Sequence, residues 1–372
     1  MGFDRWNQAV VASLCNPMTQ MCESHALINQ ANVTVLQLDG RFSEQVKELH
    51  SVLHEQYTTL VLKEGINTSV DRVHPNAQAI ANSGRRWLSN NLDDNMRCDI
   101  LIQRVALDPL DQQGMPLTLS LRLFDNGISH LNYAQALQRP SFDNGIDFCL
   151  GRPWHLPIIE AIAVIKKSLS PAPKKRFYRL VQQGRLLLTS SSAIGNFCVT
   201  SSAGAFIQLN AKQGVVDVLA LSHEVGHALD FEKRWQQGHY NPPDVVKSEA
   251  AAITMEFHVL NKSLNSYHYG HDLKHKRSLF YGAWHQALHQ FELGLYTMTP
   301  INPENLDKLW EESTHQFGIN RGSWRDIQHF YTSPFYLICY PLALSKTGAV
   351  DMLVWVSSGC KQLYNGTSKF NA

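Results

Sequence analysis

The chain has 372 residues, with 33 Lys and Arg against 32 Asp and Glu, a formal net charge of +1 and no long run of either sign. That balance excludes the footprint of a nucleic-acid binder and any pull towards an anionic membrane, and no apolar run approaches the roughly 20 residues needed to span a bilayer. Hydrophobic residues make up 44% of the chain, ordinary for a globular protein with length for a real core in one large domain or two lobes.

Cysteines stand at 15, 22, 98, 149, 198, 339 and 360, odd in number and without C-x-x-C spacing. This usage predicts free thiols in a reducing compartment, hence a cytoplasmic protein. Met1 to Asn7 carries an acid and no cationic stretch leading into an apolar core, so no secretory signal is expected.

From about Phe3 to Leu110 the apolar spacing predicts amphipathic helices, for example Phe42 to Leu53 and Ala77 to Leu92. Asp108 to Pro116 and Arg139 to Pro153, rich in Asp, Gly and Pro, read as breaks. Residues 1–150 are expected to form a helical lobe and 151–372 a catalytic region. Helical patterns return over Ile158 to Ser168 and Lys174 to Leu188, with Pro171 and Pro173 between them. Ala193 to Asn210 mixes Gly with β-prone residues and predicts two short strands joined by a turn. Such a strand can offer an unpaired backbone edge to an extended peptide, which makes Gly204, Ala205 and Phe206 candidate substrate-binding residues.

Leu221 to Asp230 holds the pattern H-E-x-x-H in a segment that reads as helix. At about 100° per residue His223 and His227 share one face, where two imidazole nitrogens can reach one metal ion. Val218, Leu221, Val225, Ala228 and Leu229 fall on the opposite face, and Glu224 stands to one side, able to touch a metal-bound water. After a loop at Gln237 to Pro243, Asp244 is a candidate N-cap for a helix over Val245 to Leu260 that carries Glu249 and Glu256.

A catalytic zinc takes three protein ligands and keeps one position open. Asp230 lies further along the helix than so short a side chain can usefully reach, and a carboxylate from a second helix closes the tetrahedron better. Spacing does not choose between Glu249 and Glu256; the other would accept a ligand histidine's free N–H. Ala250, Ala251 and Ala252 would allow the second helix to approach closely.

Gly195 to Cys198, Ala205 to Asn210 and Asp217 to Leu229 together resemble the catalytic core of the thimet oligopeptidase and oligoendopeptidase F family of zinc peptidases. Ser248 to Glu256 is similar to the family's segment with two glutamates seven apart, and His329 to Tyr340 resembles the oligoendopeptidase F signature near the C-terminus. The resemblance implies a mainly α fold, two helical lobes flanking a deep cleft with a small β-sheet beside the H-E-x-x-H helix. It implies Glu249 as third zinc ligand, Glu256 in support and oxyanion donors from Tyr340, His329 and Tyr336. Asp230 stands where many members carry a further His, which bears on the outer sphere of the ligands, and the N-terminal region is shorter than theirs.

The function expected is hydrolysis of short or unfolded peptides by zinc-activated water, with Glu224 as general base and acid. A helical H-E-x-x-H carboxypeptidase and a non-catalytic peptide-binding relative are the alternatives. Neither a nucleic-acid nor a membrane partner is expected. The i, i+4 pairs His271/His275 and His285/His289 lack the interposed Glu and read as solvated or hydrogen-bonded helix surface.

Overall fold

Helices account for most of the structure, and one small sheet accompanies them. The computed structural model of the chain describes residues 74–86, 92–129, 133–134, 158–182, 185–189, 196–201, 204–210, 214–238, 244–264, 270–319 and 322–347. The expected helix at Phe42 to Leu53 and the break at Arg139 to Pro153 lie outside these. Among the described residues one compact unit draws on 158–238, 251–264 and 270, the other on 74–134, 244–250 and 271–347.

Helices α1 (Ala77–Arg86), α2 (Asp94–Leu107) and α3 (Leu117–Asp125) belong to the latter unit. The Asp93 side chain accepts the Met96 N–H at 2.8 Å, satisfying a donor that the first turn of α2 leaves open. Cys98, Leu101 and Arg104, three apart, form a buried stripe on α2. The Asp108 to Pro116 break is a tight turn closed by pairing of Leu110 with Pro116.

In the first unit α4 (Ile158–Ser168) has the expected bounds, and α5 (Pro171–Gln182) differs from expectation at both ends. Its two prolines sit in the first turn, where a missing N–H breaks no helical bond. Its end comes at Gln182 because Leu186 to Thr189 is a strand, β1. Three consecutive leucines read equally as buried helix or buried parallel strand, and here the sheet claims them.

The sheet has the order β1-β3-β2, with β2 (Phe197–Ser201) antiparallel to β3 (Gly204–Asn210) and β1 parallel to it. The predicted hairpin is present, and β3 is the central strand, flanked on its second side by β1 from Ile207 to Asn210. Leu186 registers with Ile207 and Thr189 with Asn210, so among the described strands Gly204, Ala205 and Phe206 are flanked by β2 alone. Asn196 accepts the Asn210 N–H at 2.7 Å and ties the two ends of the hairpin together.

Helix α6 (Val215–Gln236) packs on β3, β2 and α4. From Val215 to Leu229 it is buried on nearly every side, wider than the single apolar face the spacing predicts. Helix α7 (Val245–Val259) runs on into a π-turn at Leu260–Leu264. Asp244 caps it, accepting the Lys247 N–H at 2.6 Å, and Asn126 accepts the Val246 N–H at 2.9 Å. Its far end is held by His258, whose Nε2 lies 2.9 Å from the Ser168 carbonyl of α4.

The remaining elements are α8 (Gly270–Leu279), a π-turn at Phe280–Trp284, α9 (His285–Gly294), α10 (Pro303–His315), α11 (Gln328–Thr332) and α12 (Cys339–Lys346). Leu101, Leu288, Phe291, Trp310, Trp324 and Phe330 form the core of this unit. Phe291 stacks on Phe330 at 4.7 Å and meets the edge of Trp310 at 5.7 Å. No helix among the described residues is long and apolar enough to cross a membrane.

Candidate metal centre

The first two candidate ligands stand one turn apart on α6. Their Nε2 atoms are 3.2 Å apart, with the ring planes at 84°. Two nitrogens bound tetrahedrally to zinc at about 2.0–2.1 Å would be separated by about 3.3–3.4 Å, close to this spacing. Glu249 on α7 completes the group: one atom each from His223, His227 and Glu249 lie within 4.8 Å of one another. Two imidazoles and a carboxylate form the donor set of a catalytic zinc site, so the residues present fit that ion.

Why α7 brings its carboxylates here is visible at Gly226, between the two histidines. A Cβ on this residue would meet the Ala252 Cα at 2.6 Å and the Ala251 carbonyl oxygen at 3.0 Å. The helices therefore touch backbone to backbone, which only glycine on one side and small residues on the other permit. Along α7, Glu256 is fully buried, and its Oε2 lies 3.8 Å from Nδ1 of His223. That carboxylate lies on the side of the ring nitrogen directed away from the ligand group, beyond direct hydrogen-bond distance. Asp230 instead pairs with Arg234 at 2.8 Å, one turn further along α6.

Glu224 is buried, 6% exposed. Burial first, then the charges of Glu224 and Glu232, push the Cys198 thiol well above its ordinary value, so this β2 side chain stays protonated.

Glu249 is also held by the C-terminal signature. Tyr336 donates its hydroxyl to Glu249 at 2.5 Å, and His329 stacks on the Tyr336 ring at 5.2 Å. Tyr340 meets that ring edge-on at 5.9 Å and lies against His285 at 4.2 Å. Burial pushes Tyr336 well above the usual phenol range, with the Glu249 charge adding to it, and burial pushes His329 down to about 4. His285 and His289 are buried core residues, not surface: Nδ1 of His285 is 2.7 Å from the Phe280 carbonyl, and Nε2 of His289 is 2.7 Å from the Tyr133 hydroxyl. The side chain of His271 lies outside the described residues.

No family model and no curated protein matches the sequence. Solved structures do. PZ peptidase A, in a structure with an inhibitor, superposes with a TM-score of 0.55 at 16% identity, over 89% of this chain and 76% of that one. A candidate oligoendopeptidase F gives 0.53 at 16% identity, over 81% of this chain and 67% of the other. The chain has the fold of these peptidases.

On this peptidase fold, three residues beside the site carry no motif signal. Arg122 donates from Nε to the Pro334 carbonyl at 2.7 Å and lies over the Tyr336 ring at 5.8 Å. Arg104 and Glu292 form a buried ion pair at 2.8 Å, and the same Glu292 oxygen accepts the Phe335 N–H at 3.0 Å. Phe335 has φ +53, a left-handed conformation costing about 1–2 kcal/mol for an L-residue. Only the charge of two residues in otherwise apolar helical stripes could have marked Arg104 and Glu292 in advance.

Proposed function

We propose that this chain is a zinc-dependent endopeptidase of the thimet oligopeptidase and oligoendopeptidase F family, acting on short or unfolded peptides in the cytoplasm. The observation that carries this reading is the convergence of His223, His227 and Glu249, on a fold similar to those of two peptidases. Zinc held by these three would supply a water of lowered pKa and a Lewis acid for the peptide carbonyl. Glu224 takes the proton from the attacking water and returns it to the leaving amine.

The developing oxyanion needs hydrogen-bond donors; Tyr340 and His329 are the candidates, whereas Tyr336 already gives its one hydroxyl hydrogen to Glu249. Burial supports that role for His329, which near 4 is neutral at pH 7. The free thiols of Cys98, Cys198 and Cys339 support a reducing compartment.

The test is a digest of a mixed peptide library by purified protein with measured zinc content, read by mass. Internal cuts with one zinc per chain, abolished in Glu224→Gln with zinc retained, are the expected result. Trimming from the C-terminus alone would make it a carboxypeptidase, and zinc without any cleavage would make it a peptide binder.

A further inference from the structure

Three buried charged residues converge on one turn of chain, Ser333 to Tyr336. Arg122 holds the Pro334 carbonyl, Glu292 holds the Phe335 N–H, and Arg104 donates both to Glu292 and to the Phe330 carbonyl. Arg104 is 1% exposed, Arg122 6% and Glu292 0%. Removing charges from water is costly, and well-packed apolar residues of similar volume commonly serve a core as well or better. A strained left-handed residue likewise persists only where its surroundings over-determine it. Both exceptions meet at Phe335, and the next residue puts its hydroxyl on the ligand carboxylate.

We propose that Arg122, Glu292 and Arg104 are positioning residues: a buried clamp that holds the Phe335 turn left-handed and thereby keeps the Tyr336 hydroxyl on Glu249. The proposal rests on the reading of Glu249 as a metal ligand. Tyr336 acts on the metal through Glu249, and the clamp acts on Tyr336. Partners that orient a ligand in this way typically contribute about 10–100-fold to metal affinity.

The experiment is a double-mutant cycle on zinc affinity, by chelator competition, with kcat and KM measured in parallel. Tyr336→Phe is expected to weaken zinc by about 10–100-fold, and Arg122→Lys to weaken it in the same direction. In the Tyr336→Phe background Arg122→Lys should add less than about twofold, because residues acting as a unit are non-additive. kcat should fall with KM little changed. Full additivity on the Tyr336→Phe background overturns the clamp, as does unchanged affinity in Arg122→Lys. Glu292→Gln, which keeps an oxygen for the Phe335 N–H, runs the same cycle should Arg122→Lys not fold. Failure of both to fold assigns the clamp to stability and overturns it. Non-additive zinc affinity in a chain that cuts no peptide sinks the peptidase and leaves the clamp standing; cleavage with additive affinities does the reverse.

Discussion

Tyr336 gives its hydroxyl hydrogen to Glu249 over 2.5 Å, joining a loop to a helix residue 87 positions earlier. Glu249 is 1% exposed, so losing this donor is not made good by solvent. In metal-free protein Tyr336→Phe should therefore cost about 1–3 kcal/mol of stability, the penalty for stripping a buried acceptor. Urea unfolding in the presence of a chelator measures it, and an unchanged midpoint would remove the bond from the account.

The general base is separable from the ligands. Glu224→Gln should lower kcat by at least about 10²–10⁴-fold, the range for general acid–base catalysis, while zinc content stays at one per chain. Loss of zinc along with activity would mean that Glu224 serves the metal instead.

Gly226→Ala adds one methyl where two backbones meet, at 2.6 Å from the Ala252 Cα. The helix-propensity gain of about 1 kcal/mol is outweighed by forcing α6 and α7 apart, and a net loss of about 1–3 kcal/mol or more is expected. Zinc affinity should fall with it, since Glu249 rides on α7. A variant more stable than the parent would contradict the contact.

Glu256→Gln keeps the shape beside His223 and removes the charge. Zinc affinity should drop by about 10–100-fold with the peptide bond cut unchanged in the library digest. Isothermal titration resolves a change of that size, and none would put Glu256 in a packing role.

Acid should unfold the chain through His285 and His289, both pushed down to about 3 by burial. The native state leaves them neutral while the unfolded state protonates them below about 6.5. Stability is thus full above that pH and lost as pH falls towards 3, by up to about 1.4 kcal/mol per unit for each group. His289→Gln, placed between Tyr133 and Phe335, should flatten urea midpoints measured between pH 7 and pH 5.

The parts legible in the sequence are those fixed locally. H-E-x-x-H spacing places two nitrogens on one face, and Asp244 after two prolines marks the start of α7 because a cap needs only its next three residues. What escaped depends on distant chain. Leu186 to Leu188 form a strand because β3 lies alongside, and β3 is central because those leucines pair with it. Arg104 meets Glu292 across 188 residues and Arg122 meets Pro334 across 212. His285 and His289 keep the same i, i+4 spacing whether wet or buried, so periodicity alone could not place them inside. Gly226 did carry a signal, since glycine in mid-helix is costly without a reason.

The close crossing at Gly226 also determines what α7 can tolerate. Main chain resting on main chain has no rotamers to relax, so the distance between the two imidazoles and the carboxylate is dictated by the absence of side-chain atoms at one spot. A single carbon at position 226 therefore reaches the ligand geometry directly.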